Sequence, residues 1–240
     1  MTLGMLDWGI GGLSVLRALQ AQGVAARVHY LSDAGVTPYG KLPPDQLAAR
    51  VEDRCRLLQS LGAERIVVAC NAASTVLDRV GAPTVGVIQA GIQAVRDSGL
   101  QRVAVLGGQR TVDSHLYAQG LPQVQVIERC AQPLSALVEA GELTGPHVEA
   151  AVQAVLEPVG EVAGIVLACT HYPALAPVFR SLRPEALLLD PGIEAAAQLA
   201  KALDPGAVEV TFATSGDPQA MRAAALAAFG VEIPSLRSLP

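Results

Sequence analysis

Hydrophobic positions along the chain form short runs of β-branched and aliphatic residues, separated by longer amphipathic or alanine-rich stretches. The runs have the length of buried parallel strands, and the stretches between them have helical spacing. This alternation predicts an α/β fold in which parallel sheets are covered by helices on both faces. The predicted strands are 3–6, 28–31, 66–69, 84–87, 103–106, 124–127, 165–168, 186–189 and 208–213, and the predicted helices are 44–61, 90–98, 146–157, 193–203 and 217–229.

The two halves of the chain repeat one pattern. In each half an opening strand ends in a glycine-containing turn, after Asp7 and at Gly107, and a later strand ends at a cysteine, Cys70 or Cys169. The repetition predicts two pseudo-symmetric, doubly wound parallel-sheet lobes that face an interdomain cleft. The predicted extents are 1–93 together with 206–240 for the first lobe and 94–205 for the second.

Several chemically useful residues lie at the carboxyl ends of predicted strands. Ligands of open parallel sheets bind beyond these ends. If the lobes face each other, the residues converge on a shared cleft and the two cysteines stand on opposite walls. The residues at strand ends are Asp7, Asp33, Cys70, Gly107 and Cys169.

Composition narrows the class of protein. With 240 residues, 51% of them hydrophobic, the chain can fill one large core or two modest ones. The formal charge of -5 and the aromatic content of 3% argue against a nucleic-acid partner. Its apolar runs are far shorter than the roughly 20 residues that span a bilayer, and Asp7 comes too early for a signal peptide, so we expect a cytoplasmic protein with no membrane partner. The four cysteines lack CxxC spacing, which favours reduced thiols over disulfides or a zinc site.

Two thiols on opposite walls of a cleft suit proton transfer at a chiral carbon. A strand end followed by a helix N-terminus favours the thiolate, which acts as a base. Inverting an amino-acid Cα requires one base to remove its proton and a second, protonated group to return a proton to the opposite face. Asp7 is placed to deprotonate or orient Cys70, and His171 to do the same for Cys169. The other two cysteines, Cys55 and Cys130, have no such neighbours, and we interpret them as structural.

In order and spacing, the motifs of this chain resemble those of the aspartate/glutamate racemase superfamily, and most closely its glutamate racemases. The resemblance covers nearly the whole chain. It is carried by 7–16 (DWGIGGLSVL), Asp33 with 38–41 (PYGK), 70–74 (CNAAS), Gly107 with Thr111, Ser114 and Tyr117, 130–133, 137–141 (LVEAG), 169–173 (CTHYP) and 190–192 (DPG).

The resemblance implies a racemase that acts on a small amino-acid substrate without a cofactor or a metal. Cys70 and Cys169 would be proton acceptor and donor in alternate directions, Asp7 and His171 would support them, and Glu139 would be a further acidic residue near the second thiol. The implied product is D-glutamate for peptidoglycan. Such racemases are often homodimers, and the sequence leaves the oligomeric state open. The implied substrate contacts are Asp7, Trp8, Tyr39, Gly40, Asn71, Ala72, Thr111, Thr170 and His171.

Three positions depart from the glutamate racemase pattern. Trp8, Ala72 and Gly108 stand where those racemases usually have Ser, Thr and Thr, so three hydroxyl groups are missing from the expected pocket. Each contact that is not replaced costs roughly 1 to 3 kcal/mol. Because successive residues at a strand end point in opposite directions, Trp8 either packs into its lobe or reshapes the pocket.

Two alternatives to glutamate racemisation follow from these departures: a racemase with another amino-acid substrate, and a family member that binds a ligand with weak or no turnover. The retained cysteines favour an enzyme, and the lost hydroxyls favour a binding protein. A nucleotide site is disfavoured because Ser14 replaces the third glycine of GxGxxG and Asp7 would repel phosphate. Pyridoxal phosphate is disfavoured because Lys41 has no phosphate cradle beside it.

Overall fold

A computed structural model, which describes residues 1–239, confirms the predicted α/β architecture of two parallel sheets with helices. The strands are β1 (Thr2–Asp7), β2 (Ala26–Ser32), β3 (Arg65–Val68), β4 (Thr84–Gly86), β5 (Arg102–Gly107), β6 (Gln125–Cys130), β7 (Gly164–Ala168), β8 (Leu187–Leu189), β9 (Val208–Thr214) and β10 (Leu236–Ser238).

The helices of both lobes lie between these strands. They are α1 (Leu13–Ala21), α2 (Pro44–Ser60), α3 (Asn71–Ser74), α4 (Val87–Ser98), α5 (Gln109–Ser114), α6 (Leu116–Gly120), α7 (Pro133–Glu139), α8 (Pro146–Leu156), α9 (Ala176–Leu182), α10 (Pro191–Ala200) and α11 (Pro218–Phe229). Short 3₁₀ segments occur at Tyr39–Lys41, Leu77–Arg79, Glu157–Val159 and Tyr172–Leu175.

The two sheets repeat one strand order. The first sheet runs β10-β9-β2-β1-β3-β4 and the second β6-β5-β7-β8, and all paired neighbours are parallel. In each sheet the second, first, third and fourth strands of the lobe therefore lie side by side. This order places a topological switch point between β1 and β3 in one lobe and between β5 and β7 in the other, which is where open α/β sheets bind ligands.

Apolar packing joins the lobes. One continuous cluster of buried side chains includes Met5 of β1 and Leu106 of β5, so it extends across both sheets. Separate clusters pack around Val51 in the first lobe and around Tyr117 in the second. Helix α10 packs against both α1 and α4 and adds to this junction. The strands β1 and β7 are buried almost throughout, which explains their nearly uninterrupted hydrophobic sequences.

The structure corrects several predicted boundaries. Val87 begins helix α4 and does not end a strand, because Gly86 precedes it in extended conformation. Strand β10 was not predicted. The predicted lobe boundary at residue 93 falls inside α4 and stays a prediction. Within residues 1–239, no helix is long and apolar enough to cross a membrane.

Candidate active site

A cavity of about 540 Å³ lies between the lobes, where residues that follow or end β1, β3, β5 and β7 meet. Its walls come from both lobes, and it brings together every residue that the sequence singled out as catalytic or substrate-binding. These residues are Asp7, Trp8, Tyr39, Gly40, Cys70, Asn71, Ala72, Thr111, Glu139, Cys169, Thr170 and His171.

Cys169 belongs to a chain of three polar side chains. Its Sγ lies 3.6 Å from Nδ1 of His171, and Nε2 of the same ring lies 2.6 Å from Oε1 of Glu139. Burial by itself lowers the pKa of His171, but the hydrogen bonds and charges of Cys169 and Glu139 outweigh it and raise the pKa well above its ordinary value. Burial raises the pKa of Glu139, but His171 outweighs this effect and lowers it. The two neighbours therefore favour the protonated imidazole beside the sulfur.

Cys70 has a different environment. It precedes α3, whose four residues begin at Asn71. Burial raises the pKa of the Cys70 thiol well above its ordinary value, and the Asp7 carboxylate raises it further. A hydrogen bond from the backbone of Ala73 lowers the pKa but is outweighed. The N-terminal backbone of α3 therefore favours the thiolate, as the sequence predicts, but desolvation and a neighbouring negative charge outweigh this one short helical turn.

The Asp7 carboxylate accepts hydrogen bonds from both lobes. Its Oδ1 accepts from the backbone of Trp8 at 2.7 Å, and its Oδ2 accepts from the backbone of Gly12 and, at 3.1 Å, from Oγ1 of Thr170. The turn after β1 approaches the second lobe closely. A Cβ atom on Gly11 would lie 2.6 Å from Nδ1 of His171, so glycine is required there.

Asn71 presents a hydrogen-bond donor without a protein partner. Its side-chain Oδ1 accepts from the hydroxyl of Tyr117 at 2.8 Å, and this bond fixes the amide orientation. The amide nitrogen Nδ2 is buried and has no partner within residues 1–239. An unpaired buried donor costs free energy, and a ligand acceptor in the cavity would remove that cost.

A hydrogen bond to Asp33 holds the Tyr39 side chain in place. Its hydroxyl donates to Oδ2 of Asp33 at 2.8 Å, and Arg50 binds the same carboxylate through two nitrogens at 2.6 and 2.7 Å. Asp33 is fully buried, and Gly107 is the last residue of β5. Neither residue lines the cavity, so the expectation that both converge on the cleft is wrong.

The three residues that depart from the glutamate racemase pattern, Trp8, Ala72 and Gly108, all line the cavity. The indole Nε1 of Trp8 donates to the carbonyl of Val36 at 3.0 Å, and the ring also packs against the first lobe's cluster around Val51. The Trp8 side chain therefore packs on its lobe, and the residue also borders the cavity; that it reshapes the pocket stays a prediction.

Sequence reasoning missed several polar wall residues. The most notable is Arg110, which comes directly before Thr111 on α5, and its Nε donates to the carbonyl of Tyr39 at 3.3 Å. The sequence offered one signal for this wall residue: Arg110 is a basic residue between Gly107 and Thr111, both of which belong to the motif that the sequence analysis singled out. The other wall residues that were not predicted as contacts are Pro38, Lys41, Gly108, Gln132, Pro133, Ser135, Ala136 and Ala168.

Comparison with known proteins places these features in a family. The sequence model described as Asp/Glu/Hydantoin racemase matches residues 14–212. Glutamate racemase from Desulforudis audaxviator is 36% identical, with 93% of this chain and 92% of that protein covered. Glutamate racemase from Gloeobacter violaceus is 34% identical, with 91% and 88% covered. The crystal structure of glutamate racemase from Thermus thermophilus in complex with beta-chloro-D-alanine has a TM-score of 0.89 at 29% identity, with 99% and 96% covered.

Proposed function

The chain belongs to the Asp/Glu/hydantoin racemase family and is an amino-acid racemase, and from this premise we propose that it interconverts L- and D-glutamate by a two-base mechanism. The observation that carries the proposal is that Cys70 and Cys169 line one cavity, with Nδ1 of His171 3.6 Å from Cys169 Sγ, and that the surroundings raise the pKa of His171 and of the Cys70 thiol. One sulfur is thereby prepared to accept a proton and the other to donate one.

Cys169 would act as the base in one direction. Its thiolate, stabilised by the adjacent imidazolium, takes the Cα proton, so that an S–H bond forms while the C–H bond breaks. The electron pair stays on Cα and is delocalised into the α-carboxylate. The S–H bond of Cys70 then breaks and delivers its proton to the opposite face of Cα. The reverse direction exchanges the roles of the two sulfurs.

Side chains around the sulfurs would hold the substrate. The unpartnered Nδ2 of Asn71 is a donor for the α-carboxylate, and Thr111 and Thr170 add hydroxyl groups to the same walls. Support for an amino-acid ligand comes from the Thermus thermophilus relative, whose crystal structure holds a D-alanine derivative. Support for glutamate comes from the curated relatives that are named glutamate racemase. D-Glutamate from this reaction would serve peptidoglycan synthesis.

Hydrogen exchange in deuterated water tests the function. The protein is incubated separately with single enantiomers of glutamate, aspartate, glutamine and alanine, and deuterium at Cα is measured together with optical rotation. Deuterium incorporation with loss of rotation for glutamate is the expected result. The same result for a different amino acid, and not for glutamate, would make that amino acid the substrate. No exchange with any of them, despite measurable binding, would mean that the protein is a ligand-binding member of the family.

A further inference from the structure

Arg110 lies in the cavity wall with most of its hydrogen-bonding capacity unused. Its Nε is fixed by the carbonyl of Tyr39 at 3.3 Å, and within residues 1–239 nothing accepts a hydrogen bond from its two terminal nitrogens, Nη1 and Nη2. No carboxylate of the described chain lies within ion-pair distance of its guanidinium. The group is therefore oriented by the protein and has no ion-pair partner within residues 1–239. The carboxylate of Asp113 on the same helix raises the pKa of Arg110, but it lies beyond ion-pair distance and accepts a hydrogen bond from Gln109.

The acidic residues of the cavity are already engaged elsewhere. Asp7 accepts hydrogen bonds from Gly12 and Thr170, and Glu139 pairs with His171. Partial burial lowers the pKa of Arg110, although an arginine remains charged at any physiological pH. A partly desolvated cation that faces a cavity is most stable when a ligand supplies the negative charge.

Three other wall positions lack the hydroxyl groups that glutamate racemases usually have there and that could donate to a carboxylate. Trp8, Ala72 and Gly108 contribute no hydroxyl group to the cavity. The planar guanidinium of Arg110, with two free nitrogens, matches the two oxygens of a carboxylate. It also comes from the second lobe and contacts Tyr39 of the first, so its position is set from both sides of the cavity.

We propose that Arg110 is a specificity-determining residue that binds the side-chain carboxylate of an acidic amino acid through Nη1 and Nη2. The inference rests on the proposed function in that the ligand is an amino acid held between the two cysteines. The competing role for Arg110 is purely structural, a link between the lobes through the Tyr39 carbonyl. That role predicts no preference between ligands of equal size.

Calorimetric binding of D-glutamate and of its uncharged isostere D-glutamine separates the two roles. Wild-type protein is expected to bind glutamate about 10- to 100-fold more tightly than glutamine. Arg110→Gln removes the charge and is expected to weaken glutamate binding by about the same factor while changing glutamine binding by about threefold or less. Arg110→Lys is expected to recover part of the glutamate affinity. Arg102→Gln is the matched control, because Arg102 also donates to a backbone carbonyl, that of Glu161, but lies outside the cavity.

Three results would overturn the inference. Equal weakening of both ligands in Arg110→Gln would assign a structural role. Loss of glutamate preference in Lys41→Gln, with Arg110→Gln unaffected, would assign the carboxylate to Lys41, which also lines the cavity and has no ion-pair partner within residues 1–239. Wild-type protein that binds neither ligand would reject the site for acidic amino acids. Because calorimetry detects binding whether or not the ligand is racemised, a protein that shows the Arg110-dependent preference but no Cα exchange would reject the proposed function and retain this inference.

Discussion

The carboxylate of Glu139 and the imidazole of His171 meet at 2.6 Å between Oε1 and Nε2, although one residue ends helix α7 and the other follows strand β7. The second ring nitrogen of His171 faces Cys169 Sγ at 3.6 Å. The ring is therefore held between an acid and a thiol. Glu139 Oε1 also accepts from the backbone of Ile10 at 3.3 Å, which ties this chain of groups to the first lobe.

Glu139→Gln is expected to move the alkaline limb of the pH profile. Without the carboxylate, burial still lowers the pKa of His171 and only Cys169 remains to raise it, so the pKa falls and the imidazolium beside Cys169 is lost at a lower pH than in the wild type. A hydrogen bond to a charged group contributes about 1.5 to 3 kcal/mol, which corresponds to a loss of about 10- to 100-fold in kcat at pH 8. The profile of kcat between pH 6 and 10, recorded for the variant and the wild type, measures both the shift of the alkaline limb and the loss of kcat. An unshifted alkaline limb would separate Glu139 from the ionisation of His171.

Replacement of either cavity cysteine is expected to abolish racemisation. Cys70→Ser and Cys169→Ser each remove one of the two proton carriers, and the rate should fall by about 10²- to 10⁴-fold or more, the usual contribution of a general acid or base. Polarimetry of D- and L-glutamate measures the loss. Cys130→Ser serves as the control, because Cys130 ends β6 and does not line the cavity. Either cavity variant racemising at the wild-type rate would remove that residue from the mechanism.

Tyr117→Phe is expected to weaken substrate binding and lower stability with little change in packing. The substitution removes only the hydroxyl that donates to Asn71 Oδ1 and leaves this buried oxygen without its donor. The free energy of unfolding should fall by about 1 to 3 kcal/mol. We also expect KM to rise more than kcat falls, because the Asn71 amide is then free to rotate. Urea denaturation and steady-state kinetics check the two effects, and unchanged KM would mean that Asn71 does not hold the substrate.

Asp190→Asn is expected to stabilise the protein above pH 6 and to matter little under acidic conditions. Burial raises the pKa of Asp190 from 3.8 to about 6. The folded state therefore favours the protonated carboxyl: this stabilisation is complete below the unfolded pKa of 3.8 and is lost as the pH rises through 6. An Asn side chain can keep the hydrogen bond from Gly192 that caps α10 without carrying the partly buried charge.

The stability difference between Asp190→Asn and wild type should thus grow by about 2 kcal/mol between pH 4 and pH 7.5. Urea unfolding at both pH values measures this difference. Asp217→Asn, at the exposed N-cap of α11, controls for the replacement of an acidic cap in general. A difference that does not vary with pH would show that the Asp190 carboxyl is equally ionised in the folded and unfolded states.

The hydrophobic pattern predicts best those strands that are buried on both faces of a sheet, because such burial requires an apolar residue at every position. The segment 165–168 is apolar without interruption because β7 is covered on both sides, and its prediction is confirmed. The short edge strand β10 escaped prediction because two of its three residues are exposed and carry no such signature. The sequence predicts a strand at Val87, where the structure begins helix α4, because an apolar run alone cannot distinguish a buried strand from the first turn of a buried helix.

What the sequence determined by itself is the alternation of strands and helices, the repeat that ends in Cys70 and Cys169, and hence the edge of each sheet at which chemistry would occur. These features are local, because residues close together in the sequence determine hydrophobic periodicity and the ends of strands. Only the tertiary structure decided that burial and Asp7 raise the pKa of the Cys70 thiol, that Tyr117 orients Asn71 and that Arg110 reaches Tyr39. Desolvation and hydrogen bonding between lobes depend on residues far apart in the chain, and their energies are fixed only when folding brings those residues together.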